Sequence, residues 1–237
     1  MRLIAHRGAS GTHPENTMAA FRAAWDAGVR AIEFDVQRAK DGALVVVHDN
    51  ELKRTSGDSR AVRELTLAEL QGLDAGGWFD ARFRGERIPT LEELADAAPA
   101  DCELQLEIKQ AEPPYAGIER AVKAFLDARP AVKARTVVSS FHHDTLRALR
   151  ELDSAVRIGL LPGRMPLEPA FALAAELGAE SIHVNLERLS ADWTARARAA
   201  GVKLLAYTIL TEEHVRRAAE LGADGVFSNF PHFKVPA

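Results

Sequence analysis

Four short polar clusters in the first half of the chain hold residue types that do chemistry: His6-Arg7-Gly8, Glu33-Phe34-Asp35, His48-Asp49 and Glu107-Ile108-Lys109. Each closes a run of strand-forming residues. Glu33 and Asp35 are two positions apart, so on an extended backbone both point to the same side, and Glu107 can converge on them from a neighbouring strand. Three carboxylates held together repel and raise one another's pKa unless a cation neutralises them. The trio therefore predicts one hard divalent metal ion, and all-oxygen ligation favours Mg²⁺, Ca²⁺ or Mn²⁺ over Zn²⁺. His6 and His48 suit proton transfer, because imidazole both accepts and donates near neutral pH. Arg7 and Lys109 add fixed positive charge, which together with a metal suits a phosphoryl group. A structural alternative pairs the same two cations with the carboxylates, and both roles can hold at once.

Other candidates depend on register or packing. His183 lies within a strand-like run, and whether it faces inward turns on exact register. Tyr207, with Trp78, Phe79 and Phe83, forms an apolar wall beside a ligand or else packs within its own segment. His13 sits in a loop near Glu15, His142 and His143 follow Phe141, and His214 and His232 read as surface residues.

The elements that must position these groups follow a repeat. Strand-like runs occur at Arg2–Ala5, Ala31–Asp35, Glu103–Ile108, Arg135–Ser139, Arg157–Leu160, Ser181–Asn185, Lys203–Thr208 and Gly225–Ser228. The last five begin at 135, 157, 181, 203 and 225, a spacing of 22 to 24 residues. Between them Asp144–Leu152, Glu168–Leu177, Ala191–Ala200 and Thr211–Leu221 carry apolar residues at helical spacing, as does Thr17–Ala27. Gly178, Gly201 and Gly222 stand just past three of these stripes, where a left-handed cap costs least. Eight such units in this length predict an α/β fold, a (β/α)8 TIM barrel forming one domain over 1–237. A doubly wound open sheet is disfavoured because no glycine-rich dinucleotide fingerprint follows the first strand. The rhythm breaks once, between Ala31 and Glu103. A small insertion after strand two, about 49–90, is expected there as an elaborated loop over the active face, next to a strand-like Leu44–His48 and with short helices near Leu67–Leu73 and Leu91–Ala97.

Composition excludes several classes. The 237 residues are 47% hydrophobic and 27% charged, with 34 acidic against 30 basic side chains, a net charge of −4 and a pI near 6.1. No concentrated basic surface argues for nucleic acid. No apolar run approaches the roughly 18 residues needed to span lipid, so no membrane insertion is expected, and the opening MRLIAHRGAS lacks the apolar core of a secretory signal. A single Cys102 fits a reducing compartment. These features point to a cytoplasmic protein. Spare apolar surface on the barrel helices leaves room for a homo-oligomer.

Taken in order, His6-Arg7-Gly8, Pro14-Glu15-Asn16-Thr17, Glu33-Phe34-Asp35, His48-Asp49 and Glu107-Ile108-Lys109 resemble the glycerophosphodiester phosphodiesterase family, and the resemblance extends through Tyr207-Thr208 to Gly225–Asn229. Leu73-Asp74-Ala75-Gly76 and Ser181–Asn185 resemble its intracellular bacterial branch. The resemblance implies a barrel with a small insertion, a divalent metal held by Glu33, Asp35 and Glu107, His6 and His48 as acid and base, and Arg7 and Lys109 on the phosphate. The implied substrate is a small-molecule glycerophosphodiester such as glycerophosphocholine or glycerophosphoethanolamine, hydrolysed to sn-glycerol 3-phosphate and an alcohol. A lysophospholipase D on the same fold is the enzymatic alternative, and a metal-dependent phosphate-binding protein the non-enzymatic one. One departure is visible: many members carry Thr-Asp where this chain has Ser228-Asn229, so residue 229 is not enlisted as a metal ligand.

Overall fold

The computed structural model describes residues 1–236. Nine strands form one sheet: β1 (Arg2–His6), β2 (Ala31–Arg38), β3 (Leu44–Val46), β4 (Glu103–Ile108), β5 (Thr136–Ser140), β6 (Arg157–Leu160), β7 (Ser181–Asn185), β8 (Lys203–Ile209) and β9 (Gly225–Ser228). All but β3 run parallel, and the sheet closes because β1 pairs with both β9 (Leu3 opposite Val226) and β2 (His6 opposite Glu33). The result is an eight-stranded parallel TIM barrel.

The strands are buried on both faces, as parallel strands between helices must be. Along β2, Ile32, Phe34 and Val36 join the main core under the helices, whereas Ala31 packs inside the barrel with Ile4, Leu205 and Phe227. Period-two alternation then sends Glu33 and Asp35 inward as well.

The helices between strands are α1 (Met18–Asp26), α2 (Lys53–Ser56), α3 (Leu67–Gln71), α4 (Leu91–Ala97), α5 (Ile118–Asp127), α6 (Pro130–Ala134), α7 (His143–Leu152), α8 (Leu167–Leu177), α9 (Ala191–Ala200) and α10 (Glu212–Glu220). Side-chain oxygens of Thr17, Thr66, Thr90, Ser190 and Thr211 cap five of their N-termini. Gly178 and Gly201 end α8 and α9 in the left-handed conformation, as the sequence predicts. Helix α5 was not anticipated, although its buried residues Ile118, Val122, Phe125 and Leu126 carry the helical spacing.

Between β2 and α4 the chain builds a second apolar cluster around Val45, Leu52, Leu65, Leu70 and Ile88. Its first strand is shorter than expected: β3 ends at Val46, not His48. Beyond it Val47 N–H still donates to the Asp35 carbonyl at 2.9 Å, while the wholly buried Gln37 amide shares its two N–H groups among the carbonyls of Val47 (3.1 Å), His48 (3.0 Å) and Asp49 (2.9 Å). The amino end of the barrel is closed by ion pairs, Arg2–Glu103 at 2.6 Å, Arg157–Glu103 at 3.1 Å and Arg157–Glu180 at 2.7 Å. Among the described residues no helix is long and apolar enough to cross a membrane.

Candidate active site

Register explains how three carboxylates meet at the carboxyl end. Asp35 on β2 stands opposite Glu107 on β4, and Glu33 stands opposite His6 on β1. Ligand atoms of Glu33, Asp35 and Glu107 lie within 4.8 Å of one another, and all three side chains are buried. Two cations balance them in part. Lys109 Nζ is 2.7 Å from Glu107 and 3.4 Å from Asp35 Oδ1, and Arg7 Nε is 3.2 Å from Asp35 Oδ2. The Arg7 backbone N–H donates to Glu33 at 3.0 Å.

One negative charge is left over, and the protonation equilibria reflect it. Burial, then the neighbouring Asp35 and Glu107 charges, push Glu33 well above the carboxylate range, and burial with Asp35 lifts Glu107 to about 7. Burial also opposes ionisation of Asp35, but Lys109 and Arg7 outweigh it and hold that group at about 2. Asp35 is further fixed by Asn16, which adopts a left-handed backbone (φ 57°), is buried, and donates its amide to Asp35 Oδ2 at 2.8 Å. The other oxygen, Asp35 Oδ1, is buried with no hydrogen-bond partner. An acceptor with no hydrogen bond, only the Lys109 ion pair at 3.4 Å, inside an all-oxygen, net-negative cluster suits a hard divalent cation, so these residues fit such an ion.

His6 and His48 both face this cluster, each held by its Nδ1 edge. His6 Nδ1 is 2.7 Å from Asn229 Oδ1, which leaves Nε2 directed to the interior, 3.9 Å from Glu33. His48 Nδ1 is 2.7 Å from Asp49 Oδ1. Burial first, then Arg7, lowers His6 to about 4. Burial, together with Lys109 and Arg7, outweighs the Asp35 charge and lowers His48. Gln37, which fixes the backbone at His48, is itself held by Tyr115 Oη at 2.8 Å.

His6, Arg7, Glu33, His48, Glu107 and Lys109 line one cavity of about 220 Å³, with Phe141, Leu161, Tyr207 and Phe227 as its apolar side. Sequence reasoning missed Phe141 and Leu161. Both follow strand ends, β5 and β6, which was the available signal. Tyr207 lies where expected and meets Phe141 edge to face at 6.2 Å. His183 points inward, buried against Phe227 and bonded to Ser181 Oγ at 2.9 Å, and lines the same cavity. Trp78, Phe79 and Phe83 do not line it. They meet edge to face, Trp78 on Phe79 at 5.6 Å and Phe79 on Phe83 at 5.9 Å, inside the inserted segment, because each finds a ring partner there. His13 packs on Phe83 and bonds to Thr12, His142 bonds to Thr145, and His143 ties the β5 loop to the Leu161 carbonyl.

Comparison with known proteins bears on what such a cavity does. The family model described as the glycerophosphoryl diester phosphodiesterase family matches residues 6–233. A glycerophosphodiester phosphodiesterase of Caldanaerobacter subterraneus subsp. tengcongensis is 37% identical over 231 residues, 97% of this chain and 94% of the relative. One from Bacillus altitudinis is 32% identical over 234 residues, with 97% and 95% coverage. Among solved structures, an Oleispira antarctica phosphodiesterase in complex with the product sn-glycerol-3-phosphate superposes with a TM-score of 0.87 at 30% identity, covering 98% of this chain and 94% of that one.

Proposed function

This chain belongs to the glycerophosphoryl diester phosphodiesterase family, and from that premise we propose that it is a metal-dependent enzyme releasing sn-glycerol 3-phosphate from small glycerophosphodiesters such as glycerophosphocholine or glycerophosphoethanolamine. The observation that carries the reading is the convergence of His6, His48, Arg7, Lys109, Glu33 and Glu107 on one cavity. Its lining sets charged groups beside the apolar side chains Phe141, Leu161, Tyr207 and Phe227, which supports a deacylated diester over a lysophospholipid, whose acyl chain calls for a long apolar groove.

Glu33, Asp35 and Glu107 would hold the ion, Mg²⁺, Ca²⁺ or Mn²⁺. When bound, it supplies Lewis-acid polarisation of the phosphoryl group. Arg7 and Lys109 stabilise charge building on the phosphoryl oxygens. Of the two imidazoles, one removes the proton of the attacking hydroxyl and the other protonates the departing alcohol, each kept to one orientation by its Nδ1 partner. The attacking hydroxyl is that of water or the glycerol C2 group. Phe141, Leu161 and Tyr207 cover the carbon skeleton and keep bulk water from the phosphorus. The reading extends to a cytoplasmic enzyme organised as one domain over 1–237, a location supported by the buried, unpaired Cys102.

The test is turnover of glycerophosphocholine with coupled detection of glycerol 3-phosphate, before and after chelation. Chelation should abolish turnover and Mg²⁺, Mn²⁺ or Ca²⁺ restore it. His6→Ala and His48→Ala should each lower kcat by about 10²-fold or more without unfolding the protein. Full turnover in chelator-treated enzyme removes the metal, and wild-type kcat in either variant removes that histidine from the chemistry.

A further inference from the structure

Arg54 belongs to none of the motifs that carry the family resemblance, yet it joins two of them. It lies on α2, a four-residue helix anchored in the second apolar cluster by Leu52, and reaches back to the barrel mouth. Its Nε donates to Asp49 Oδ2 at 2.6 Å, and its two terminal nitrogens donate to Glu15 at 2.7 and 2.8 Å. Both acceptors have a second partner inside the site: Asp49 holds His48 Nδ1 at 2.7 Å, and Glu15 accepts from Arg7 Nη1 at 2.9 Å. One planar guanidinium thus stands behind a proton-transfer side chain and a phosphate-binding side chain together. The indole of Trp78 backs it, with the guanidinium carbon 5.5 Å from the ring centroid.

We propose that Arg54 is a positioning residue for the phosphodiesterase reaction, fixing His48 through Asp49 and Arg7 through Glu15. The inference rests on the reading above. Three donors in two directions demand the rigid fork of Arg, which the compact charge of Lys does not reproduce. An ordinary surface ion pair contributes little to stability and leaves kinetics untouched. A positioning residue has the opposite signature, because misplacing a reacting group by about 1 Å costs roughly 10²-fold in rate.

The experiment compares Arg54→Ala, Arg54→Lys, Asp49→Asn and Glu15→Gln in the metal-loaded full chain. Asp49→Asn should act mainly on kcat and Glu15→Gln mainly on KM. Arg54→Ala should do both, lowering kcat/KM by about 10–100-fold, the range seen for residues behind a reactive group, with the thermal midpoint nearly unchanged. Arg54→Lys should recover only part, and adding Asp49→Asn to Arg54→Ala should lower kcat by less than the product of the two single effects. The ¹⁵N NMR signature of the His48 ring, which needs no turnover, should show a fixed Nδ1 partner in the parent and exchange between tautomers in Arg54→Ala. That readout separates this proposal from the assignment of the activity itself. Kinetics within about twofold of the parent in a folded Arg54→Ala protein, or an unchanged His48 signature, overturns it.

Discussion

Strand β4 carries a glutamate at each end of the same inward face, and the two experience opposite environments. At the amino end Glu103 meets Arg2 and Arg157, with Glu180 completing a balanced set of two anions and two cations. Burial opposes its ionisation, but Arg2 and the other partners win and its pKa falls below the ordinary value. At the carboxyl end Glu107 shares two cations with two further carboxylates, and burial and Asp35 raise it to about 7. Residue type and strand are identical. What differs is how deeply each is buried and the charge balance around it, Glu103 being half-buried and Glu107 buried, and an unbalanced buried cluster persists only where a ligand completes it.

Exchanging the carboxylate for an amide at each end should separate the two roles most sharply. Glu107→Gln is expected to lower kcat/KM by at least about 10²-fold, since even groups behind metal ligands cost 10–100-fold. The chelator-treated variant should melt no lower than the parent, because the amide removes a repulsion. Glu103→Gln should do the reverse, leaving Arg2 and Arg157 short of their partner at a cost of about 1–3 kcal/mol and lowering the thermal midpoint by several degrees while activity barely changes. If Glu103→Gln loses as much activity as Glu107→Gln, charge balance does not mark the site.

Most of the barrel was legible because its signals are local. Strands recur every 22 to 24 residues from 135 onward, and a pair such as Glu33 and Asp35 declares a shared face by its spacing alone. The supporting contacts carry no such signal. Asn229 lies 223 residues from His6, and Gln37 acts through carbonyls that any residue would offer. Arg54 is one of many arginines until the fold brings Glu15 beside Asp49. Strand β3 fell short of His48 for a related reason: an apolar, β-branched run predicts extended backbone, but from Val47 to Asp49 the carbonyls turn to the buried Gln37 side chain in place of a neighbouring strand.

Asn229 sharpens the comparison from the other side, as a neutral group at the charged end. Its oxygen is the Nδ1 partner of His6, so it favours the tautomer with Nε2 free to accept a proton. Asn229→Ala should lower kcat about tenfold, equivalent to roughly 1.4 kcal/mol, with KM little affected. Asn229→Asp should keep the orientation and favour the charged imidazolium. The limb of the kcat/KM profile set by His6 should then move to higher pH. An unchanged profile with full activity in both variants would mean that the ring is held by packing alone.

The smallest effect expected is a pH dependence of stability in the chelator-treated protein. Glu107 has a folded-state pKa of about 7 against an ordinary 4.5, so between those values the folded state holds more protons than the unfolded chain. Stability from this group is present below 4.5 and is lost as pH rises toward 7. Asp35, held at about 2 against 3.8, works in a lower window: its contribution is present above 3.8 and is lost as pH falls through 2. The buried histidines oppose Glu107 over part of its range. His6 at about 4 and His183 at about 3 are both below their ordinary 6.5, so they stabilise at higher pH and lose that contribution on acidification. The absolute melting curve therefore mixes opposing slopes, and the informative quantity is the difference between the parent and Glu107→Gln. In the absence of metal the parent should lose ground to the variant as pH rises from about 4.5 to 7, and Glu33, itself raised in part by the Glu107 charge, adds to that loss. Adding Mg²⁺ or Ca²⁺ should reverse the sign of the difference, because an ion that binds the ionised trio stabilises only the protein that has all three carboxylates. The same comparison made with Glu103→Gln should show no loss for the parent over that window, since Glu103 titrates below its ordinary value. A gap for Glu107→Gln that stays flat across it would mean that the carboxyl-end cluster is as well neutralised as the pairs at the opposite end.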